Sequence, residues 1–377
     1  MITREFQGNE MPMLGLGTMR LPILEDKSID KVATKEMIDY AMAQGIRYYD
    51  TAYPYHSGQS ELVVGECLKE YPRESFYLAD KYPGHQPMEQ YIPSEIFELQ
   101  LKKCGVDYFD FYLLHNVYEH DMDVYTSEKW NVIPYFVKQK EEGRIKHLGF
   151  SCHARTEGLR SFLDFCKEKG YVMEFCQIQL NFLDWTLQEA EEKVKILNEY
   201  NIPIWVMEPV RGGKLSAKAK EAFRFLMDVP GVTVVLSGMS NMDQLRENIE
   251  TFNEENPLSA EEKSEVFDYA ERLKQAVPCT ACRYCTDGCP MELNIPILIS
   301  TYNDMKLGGG FTPVMYLEKL PEEKRPSACI GCGACQAVCP QNIAIPEILK
   351  DLADRYDKAV KWSDVCRERE EAAKNLK

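Results

Sequence analysis

The chain has 377 residues, 45% of them apolar, enough to bury a large core and to fill more than one domain. Its net charge of −16 argues against nucleic acid or an anionic membrane as partner, because phosphate surfaces are gripped by clustered Lys and Arg. The opening MITREFQGNE lacks the apolar stretch of a signal peptide, and no run approaches the ~20 apolar residues of a membrane span, so the expected location is cytoplasmic.

Residues 4 to 23 carry polar turns and then Leu14-Gly15-Leu16-Gly17-Thr18-Met19, a glycine-punctuated run that suits a short first strand. After it, amphipathic charged segments separate short apolar runs that end near Asp50, Lys81, His115, Ser151, Gln177, Met207 and Ser237. The steps between those ends are 31, 34, 36, 26, 30 and 30 residues, each one strand plus one returning helix. With the first run this predicts eight βα units in about 250 residues, a (β/α)8 TIM barrel, whose strand C-termini all open onto one face. A doubly wound open sheet is the rival, but no G-x-G-x-x-G turn follows the first strand.

The barrel is expected over 1–256, followed by a linker helix over 257–277 in which Ser259 and Glu262 form a capping box. A small, mainly helical cysteine-rich domain then occupies 278–345, and a helix with a charged tail closes the chain over 346–377.

The stretch Ile46 to Glu61, IRYYDTAYPYHSGQSE, holds the densest concentration of candidate chemistry. An apolar run ends in Asp50, and Tyr55 follows in a loop broken by Pro54 and Gly58. Taken alone, a carboxylate and a tyrosine there could be a stray ion pair and a packed aromatic. The next two strand-like runs lead to Lys81 and His115, so three successive runs deliver Asp, Lys and His to one rim.

Fourteen cysteines without a secretion signal read as metal ligands rather than disulfides. Six of them (Cys67, Cys104, Cys152, Cys166, Cys176, Cys366) are scattered, and eight form two runs of identical spacing: Cys279, Cys282, Cys285, Cys289-Pro290 and Cys329, Cys332, Cys335, Cys339-Pro340. Three thiolates two residues apart can wrap three irons of a cubane, and a fourth before proline reaches another iron. Zinc is the competing metal, but its sites more often offer two ligand pairs. The spacing resembles a helical two-cluster ferredoxin. That resemblance implies one [4Fe-4S] cluster on Cys279, Cys282, Cys285 and Cys339, and a second on Cys329, Cys332, Cys335 and Cys289.

The barrel half resembles the aldo-keto reductases in Gly15 to Met19, Asp50-Thr51-Ala52 with Tyr55 and Ser60-Glu61, Lys81, Leu113-Leu114-His115, Gly149-Phe150-Ser151, Gln177 and Glu247-Asn248. The resemblance implies a catalytic tetrad of Asp50, Tyr55, Lys81 and His115, acting on a small-molecule carbonyl or alcohol with NADP or NAD. A phenol is a poor acid near neutrality unless a cation stabilises its anion; Lys81 would supply the cation, Asp50 would aim it, and His115 would orient the carbonyl. The family's nicotinamide contacts would fall on Ser151, Gln177 and Met207, its pyrophosphate loop on Gly212-Gly213-Lys214-Leu215, and its adenine end on Gly238, Arg246, Glu247 and Asn248. Cys152 stands where the family has asparagine, Met207 where an aromatic often stacks, and Arg246 is the only cation seen near the expected 2′-phosphate.

A nicotinamide moves two electrons as hydride, whereas a cubane passes one at a time. Three functions stay open on the sequence: a carbonyl reductase whose clusters face a redox partner protein, a ferredoxin-linked electron carrier with the barrel as platform and no nicotinamide, or a barrel braced by clusters. The loops after Lys81 and His115 carry Tyr82, Tyr91, Tyr118, Tyr125 and Trp130, and the histidines His56, His85, His120 and His153 lie in loops where solvated roles are commoner than functional ones.

Overall fold

The computed structural model describes residues 1–84, 92–119, 122–273, 276–306, 312–361 and 363–364; His85, Tyr91, His120, Cys366 and the end of the charged tail lie outside the described residues. The chain divides into two compact units, Met1–Asp268 and Tyr269–Lys377. Among the described residues no helix is long and apolar enough to cross a membrane.

The first unit opens with a hairpin that the sequence reads as polar turns: β1 (Thr3–Phe6) pairs antiparallel with β2 (Asn9–Pro12). Gln7 and Gly8 both take positive φ, 49° and 83°, the two-residue turn whose twist matches a tight hairpin. One face of each short strand is polar, so the hydrophobic signal is only Phe6 and Met11, which join the barrel's core.

The barrel follows as predicted. Its strands are β3 (Leu14–Gly17), β4 (Tyr48–Asp50), β5 (Tyr77–Tyr82), β6 (Phe109–Val117), β7 (Ile145–Cys152), β8 (Cys176–Gln179), β9 (Ile204–Met207) and β10 (Val232–Gly238), all parallel, with β10 closing on β3. Returning helices include α1 (Lys31–Ala43), α2 (Ser60–Leu68) and α3 (Pro93–Cys104) in the first half of the barrel. Later come α4 (Met122–Thr126), α5 (Val132–Glu141), α6 (Thr156–Lys169), α7 (Asp184–Leu187), α8 (Ala190–Glu199), α9 (Ala219–Leu226) and α10 (Met242–Thr251). In α11 (Ala260–Leu273), Ser259 and Glu262 exchange the reciprocal capping bonds, 2.8 and 3.2 Å.

Strand alternation positions the site. Side chains two apart share a face. Tyr48, Ala79, Leu113, Phe175 and Trp205 point into the packed interior. Two residues further along, each of those strands therefore turns Asp50, Lys81, His115, Gln177 or Met207 to the inside at the C-terminal mouth. Residues between them face the helices: Tyr112 packs on Phe97 of α3 and Phe136 of α5, with centroids 5.2 and 4.7 Å apart.

The second unit is built on a repeat of 50 residues. Each cysteine run has positive φ at two matching positions (Ala281 and Gly331, Arg283 and Gly333), a short turn of helix, then a third at Glu292 and Asn342. The turns are α12 (Tyr284–Asp287) and its counterpart α15 (Ala334–Ala337), and each run leads into a longer helix, α13 (Ile295–Lys306) or α16 (Ile345–Lys358). Between them lies α14 (Thr312–Lys319). Leu298, Ile299, Leu317, Leu349 and Leu352 pack with the buried cysteines into one core.

Candidate active site and cysteine sites

Asp50, Lys81, His115 and Tyr55 converge at the barrel mouth. Lys81 Nζ donates to Asp50 Oδ1 at 2.5 Å and to the Thr51 carbonyl at 2.7 Å, and lies 3.4 Å from the Tyr55 hydroxyl. It also sits 4.9 Å from the centroid of the Tyr55 ring, against whose plane the His115 ring stands edge-on at 6.1 Å. Asp50, Lys81 and His115 are buried; Tyr55 is partly so, with its hydroxyl end enclosed. The loop carrying Tyr55 turns sharply through left-handed His56 and Ser57 and is anchored by Ser60, whose hydroxyl meets those of Thr18 and Thr51 at 2.8 and 2.9 Å. Such strained backbone persists where surrounding contacts over-determine it.

The charges here do not lower the phenol. Burial first, and then the carboxylates of Asp50, Asp80 and Glu208, push the Tyr55 hydroxyl well above the usual tyrosine range despite Lys81 beside it. The group is therefore a neutral proton carrier near pH 7, able to give its proton to a strongly basic oxygen. Burial also raises Asp50, against the opposing pull of Lys81.

Of the candidate nicotinamide contacts, Ser151 and Gln177 face each other in register across β7 and β8, and Gln179 faces Met207 across β8 and β9. Ser151 Oγ accepts from the Asn116 amide at 2.7 Å. Gln177 Oε1 is buried without a hydrogen-bond partner, an acceptor held ready for an N–H donor such as a carboxamide supplies. Gly212 and Gly213 adopt φ of 63° and 94°, exposing the loop's backbone beside solvent-facing Lys214, while Leu215 is buried beneath. Gly238 ends β10 next to Gly17. Asn248 is buried and donates to Ser237 at 3.0 Å, whereas Glu247 and Arg246 are exposed, the latter 3.7 Å from Asp243.

Several contacts around the site are not visible in the sequence. A side chain added at Gly238 would meet Arg20 at 3.2 Å, so a second cation besides Arg246 lies at this end of the barrel, contributed from more than 200 residues away. Arg211 and Asp184 form a buried ion pair, 2.9 Å, into which Gln179 and Asn181 each donate at 2.7 Å. It pins the loop of Gly212 to the end of β8. Tyr125 donates to the His115 carbonyl at 2.5 Å, fixing that strand end from α4.

In the second unit, two small pockets are each lined by four cysteines. One is bounded by Cys279, Cys282, Cys285 and Cys339, the other by Cys329, Cys332, Cys335 and Cys289. In each, three thiols come from one run and the fourth from the other. Burial, then the neighbouring Cys282, Cys279, Cys339 and Cys335, push the Cys285 thiol up; burial and Cys329, with smaller contributions from Cys289 and Cys332, raise Cys335 to about 11. Thiols crowded so that each opposes its neighbour's ionisation favour a cationic centre between them. Among the described residues no group of three or more His, Cys, Asp or Glu side chains is placed to hold a single metal ion. Cys332 is exposed, whereas Cys279, Cys285, Cys335 and Cys339 are buried.

Residues 13–223 match the model of the aldo/keto reductase family, and residues 278–344 match that of the 4Fe-4S dicluster domain. A probable aldo-keto reductase 1 of Glycine max is 29% identical over 221 residues, 56% of this chain and 60% of the relative. The NADPH-dependent alpha-keto amide reductase of Saccharomyces cerevisiae is 28% identical over 220 residues, 57% of this chain and 66% of the relative. The chain thus spans about two thirds or less of either relative. In fold it is similar to the holo form of aldo-keto reductase AKR11C1 from Bacillus halodurans, with a TM-score of 0.56 and 23% identity over 72% of this chain and 95% of that one.

Proposed function

The chain belongs to the aldo/keto reductase family and carries a 4Fe-4S dicluster domain, and on that premise we propose that it reduces a small-molecule carbonyl, or oxidises the corresponding alcohol, with NADPH or NADH. Tyr55 gives its proton to the carbonyl oxygen. Lys81 steadies the phenolate left behind, Asp50 holds Lys81 in place, and His115 orients the carbonyl. The observation that carries this reading is Lys81 Nζ lying between Asp50 Oδ1, 2.5 Å, and the Tyr55 hydroxyl, 3.4 Å.

A bound nicotinamide would supply the hydride. Ser151 and Gln177 would hold its carboxamide, with the unpartnered Gln177 Oε1 as acceptor, and Met207 would pack beside its ring. Gly212, Gly213, Lys214 and Leu215 would border the pyrophosphate; Gly238, Arg246, Glu247 and Asn248 would receive the adenine end.

The two cysteine-lined cavities support a pair of [4Fe-4S] clusters, on Cys279, Cys282, Cys285 and Cys339, and on Cys329, Cys332, Cys335 and Cys289. Such clusters transfer single electrons. We place exchange with a redox partner protein at the run that exposes Cys332.

Anaerobic titration of the full-length protein with NADPH and NADH, followed by turnover of para-nitrobenzaldehyde as a probe carbonyl, tests the proposal. Saturable binding with aldehyde-dependent oxidation of the nicotinamide is the expected result. No binding of either nucleotide, together with cluster reduction by a ferredoxin, overturns it.

A further inference from the structure

Directly behind Lys81, on the helix-facing side of β5, two carboxyl groups are buried together. Asp80 and Glu61 are each fully shielded from solvent and within hydrogen-bonding reach of one another. Asp80 Oδ1 accepts from the Lys81 amide at 2.8 Å. Glu61, at the start of α2, accepts at Oε2 from Lys103 of α3 at 2.6 Å and is also within reach of the Gln100 side chain, whereas its buried Oε1 makes no hydrogen bond.

The charges around the pair leave it short of cations. Among the described groups facing the pair, α3 supplies Lys103, Gln100 and Cys104, β6 supplies Tyr112, and β5 itself supplies Lys81. The Cys104 thiol and the Tyr112 phenol are both pushed up by burial, with Asp80's charge next, so they stay neutral. Lys81 turns its ammonium to the barrel interior and Asp50. One cation, Lys103, itself partly exposed, thus serves two carboxyls that are both shielded from solvent. Two like charges this close and this buried cannot both persist.

We propose that Asp80 and Glu61 share one proton at neutral pH, and that the resulting carboxylic acid–carboxylate bond is a clasp that sets the position of Tyr55 against Lys81. The path is short at both ends. Asp80 holds the main chain of Lys81. Glu61 holds Lys103, which also donates to the Gly58 carbonyl at 3.0 Å and lies 4.7 Å from the Tyr53 ring, gripping the loop of Tyr55 on both flanks. Asp80 and Glu61 touch no reacting atom and are positioning residues; their role rests on the catalytic assignment of Tyr55 and Lys81 made above.

Loss of the shared proton puts a second negative charge where one cation is available, and the clasp opens. Burial, then Glu61's charge, raises the Asp80 carboxyl well above its ordinary range. Stability tied to that proton is therefore complete below the ordinary carboxylate range and is lost as pH rises through the raised value.

Infrared spectroscopy of the full-length, cluster-loaded protein reads the proton directly. At neutral pH the wild type minus Asp80→Asn difference spectrum is expected to contain a protonated-carboxyl band that shifts in D2O and fades on raising the pH; its absence overturns the proposal. Asp80→Asn puts an amide N–H in place of the shared proton. With para-nitrobenzaldehyde and NADPH it is expected to keep most of its turnover and to lose the alkaline fall of the pH profile, whereas Asp80→Ala loses about tenfold. Equal losses in the two variants overturn the positioning role, and if Asp80→Ala fails to fold, the Asn variant's pH profile and the infrared band decide. No turnover in any protein, wild type included, with the band still present, upholds the shared proton and overturns instead the catalytic assignment on which its role rests.

Discussion

Lys81 and Asp50 form an ion pair of 2.5 Å in which neither side chain is more than 4% exposed. A buried pair of this kind is worth little against an apolar replacement of both partners, but removing one leaves the other charged and unsolvated. Lys81→Met is accordingly expected to cost about 3–5 kcal/mol in urea unfolding followed by tryptophan fluorescence. A loss below about 1 kcal/mol would mean that the pair is solvated, as surface pairs are.

The two groups at the ends of this chain of contacts govern the acid and neutral parts of the pH profile. Folding raises Asp50 by burial, so acidification protonates it earlier than an ordinary carboxyl and releases Lys81. The sign for stability is the opposite of the sign for activity: the folded form takes up this proton more readily than the unfolded chain, and acid does not destabilise through Asp50. Tyr55 is raised as well, so its proton stays in place across neutral pH. Carbonyl reduction is expected to fall on the acid side at a pH above the usual Asp range and to show no loss near neutrality from Tyr55. A pH–rate profile with an acid limb that Asp50→Asn leaves unchanged would contradict this.

Helix α2 meets α3 at Gly65, where an added Cβ would lie 2.5 Å from the Cys104 carbonyl oxygen. Backbone cannot yield as a side chain can. Gly65→Ala is expected to cost about 1–3 kcal/mol and to lower the thermal midpoint of the barrel. An unchanged midpoint would show that the two helices separate freely.

The crossed cysteine sets make a specific demand on spectroscopy. Cys289→Ser should perturb the same reduced-state paramagnetic signal as Cys332→Ser, and Cys339→Ser the same signal as Cys282→Ser, each leaving the other signal in place. Grouping by sequence run, with Cys289 following Cys282 instead, would refute the assignment.

The sequence carries a good part of this architecture because the barrel repeats. One strand and one returning helix recur about every thirty residues, and a polar residue two places beyond a core residue marks most of the strand ends, as Tyr48 precedes Asp50 and Ala79 precedes Lys81. The spacing of the eight cysteines is equally local. What escapes is long-range or outward-facing. The hairpin of Gln7 and Gly8 shows only Phe6 and Met11 as apolar signal, and Arg20 meets Gly238 only because the barrel closes β10 onto β3, more than 200 residues away in sequence. Asp184 at the start of α7 meets Arg211 in the loop after β9, and Asp80, hidden by alternation on a strand read for Lys81, meets Glu61 only once α2 is docked. Single-sequence patterns record periodicity along the chain; they do not record which polar residues on different elements are buried together.

The proton of Tyr55 is the central claim, and turnover of Tyr55→Phe measures it most directly. With NADPH and para-nitrobenzaldehyde, the variant is expected to lose at least about a hundredfold in kcat while nucleotide binding, iron content and thermal midpoint stay at wild-type values. Turnover within a few fold of wild type, with the same intact binding and iron, would contradict the account.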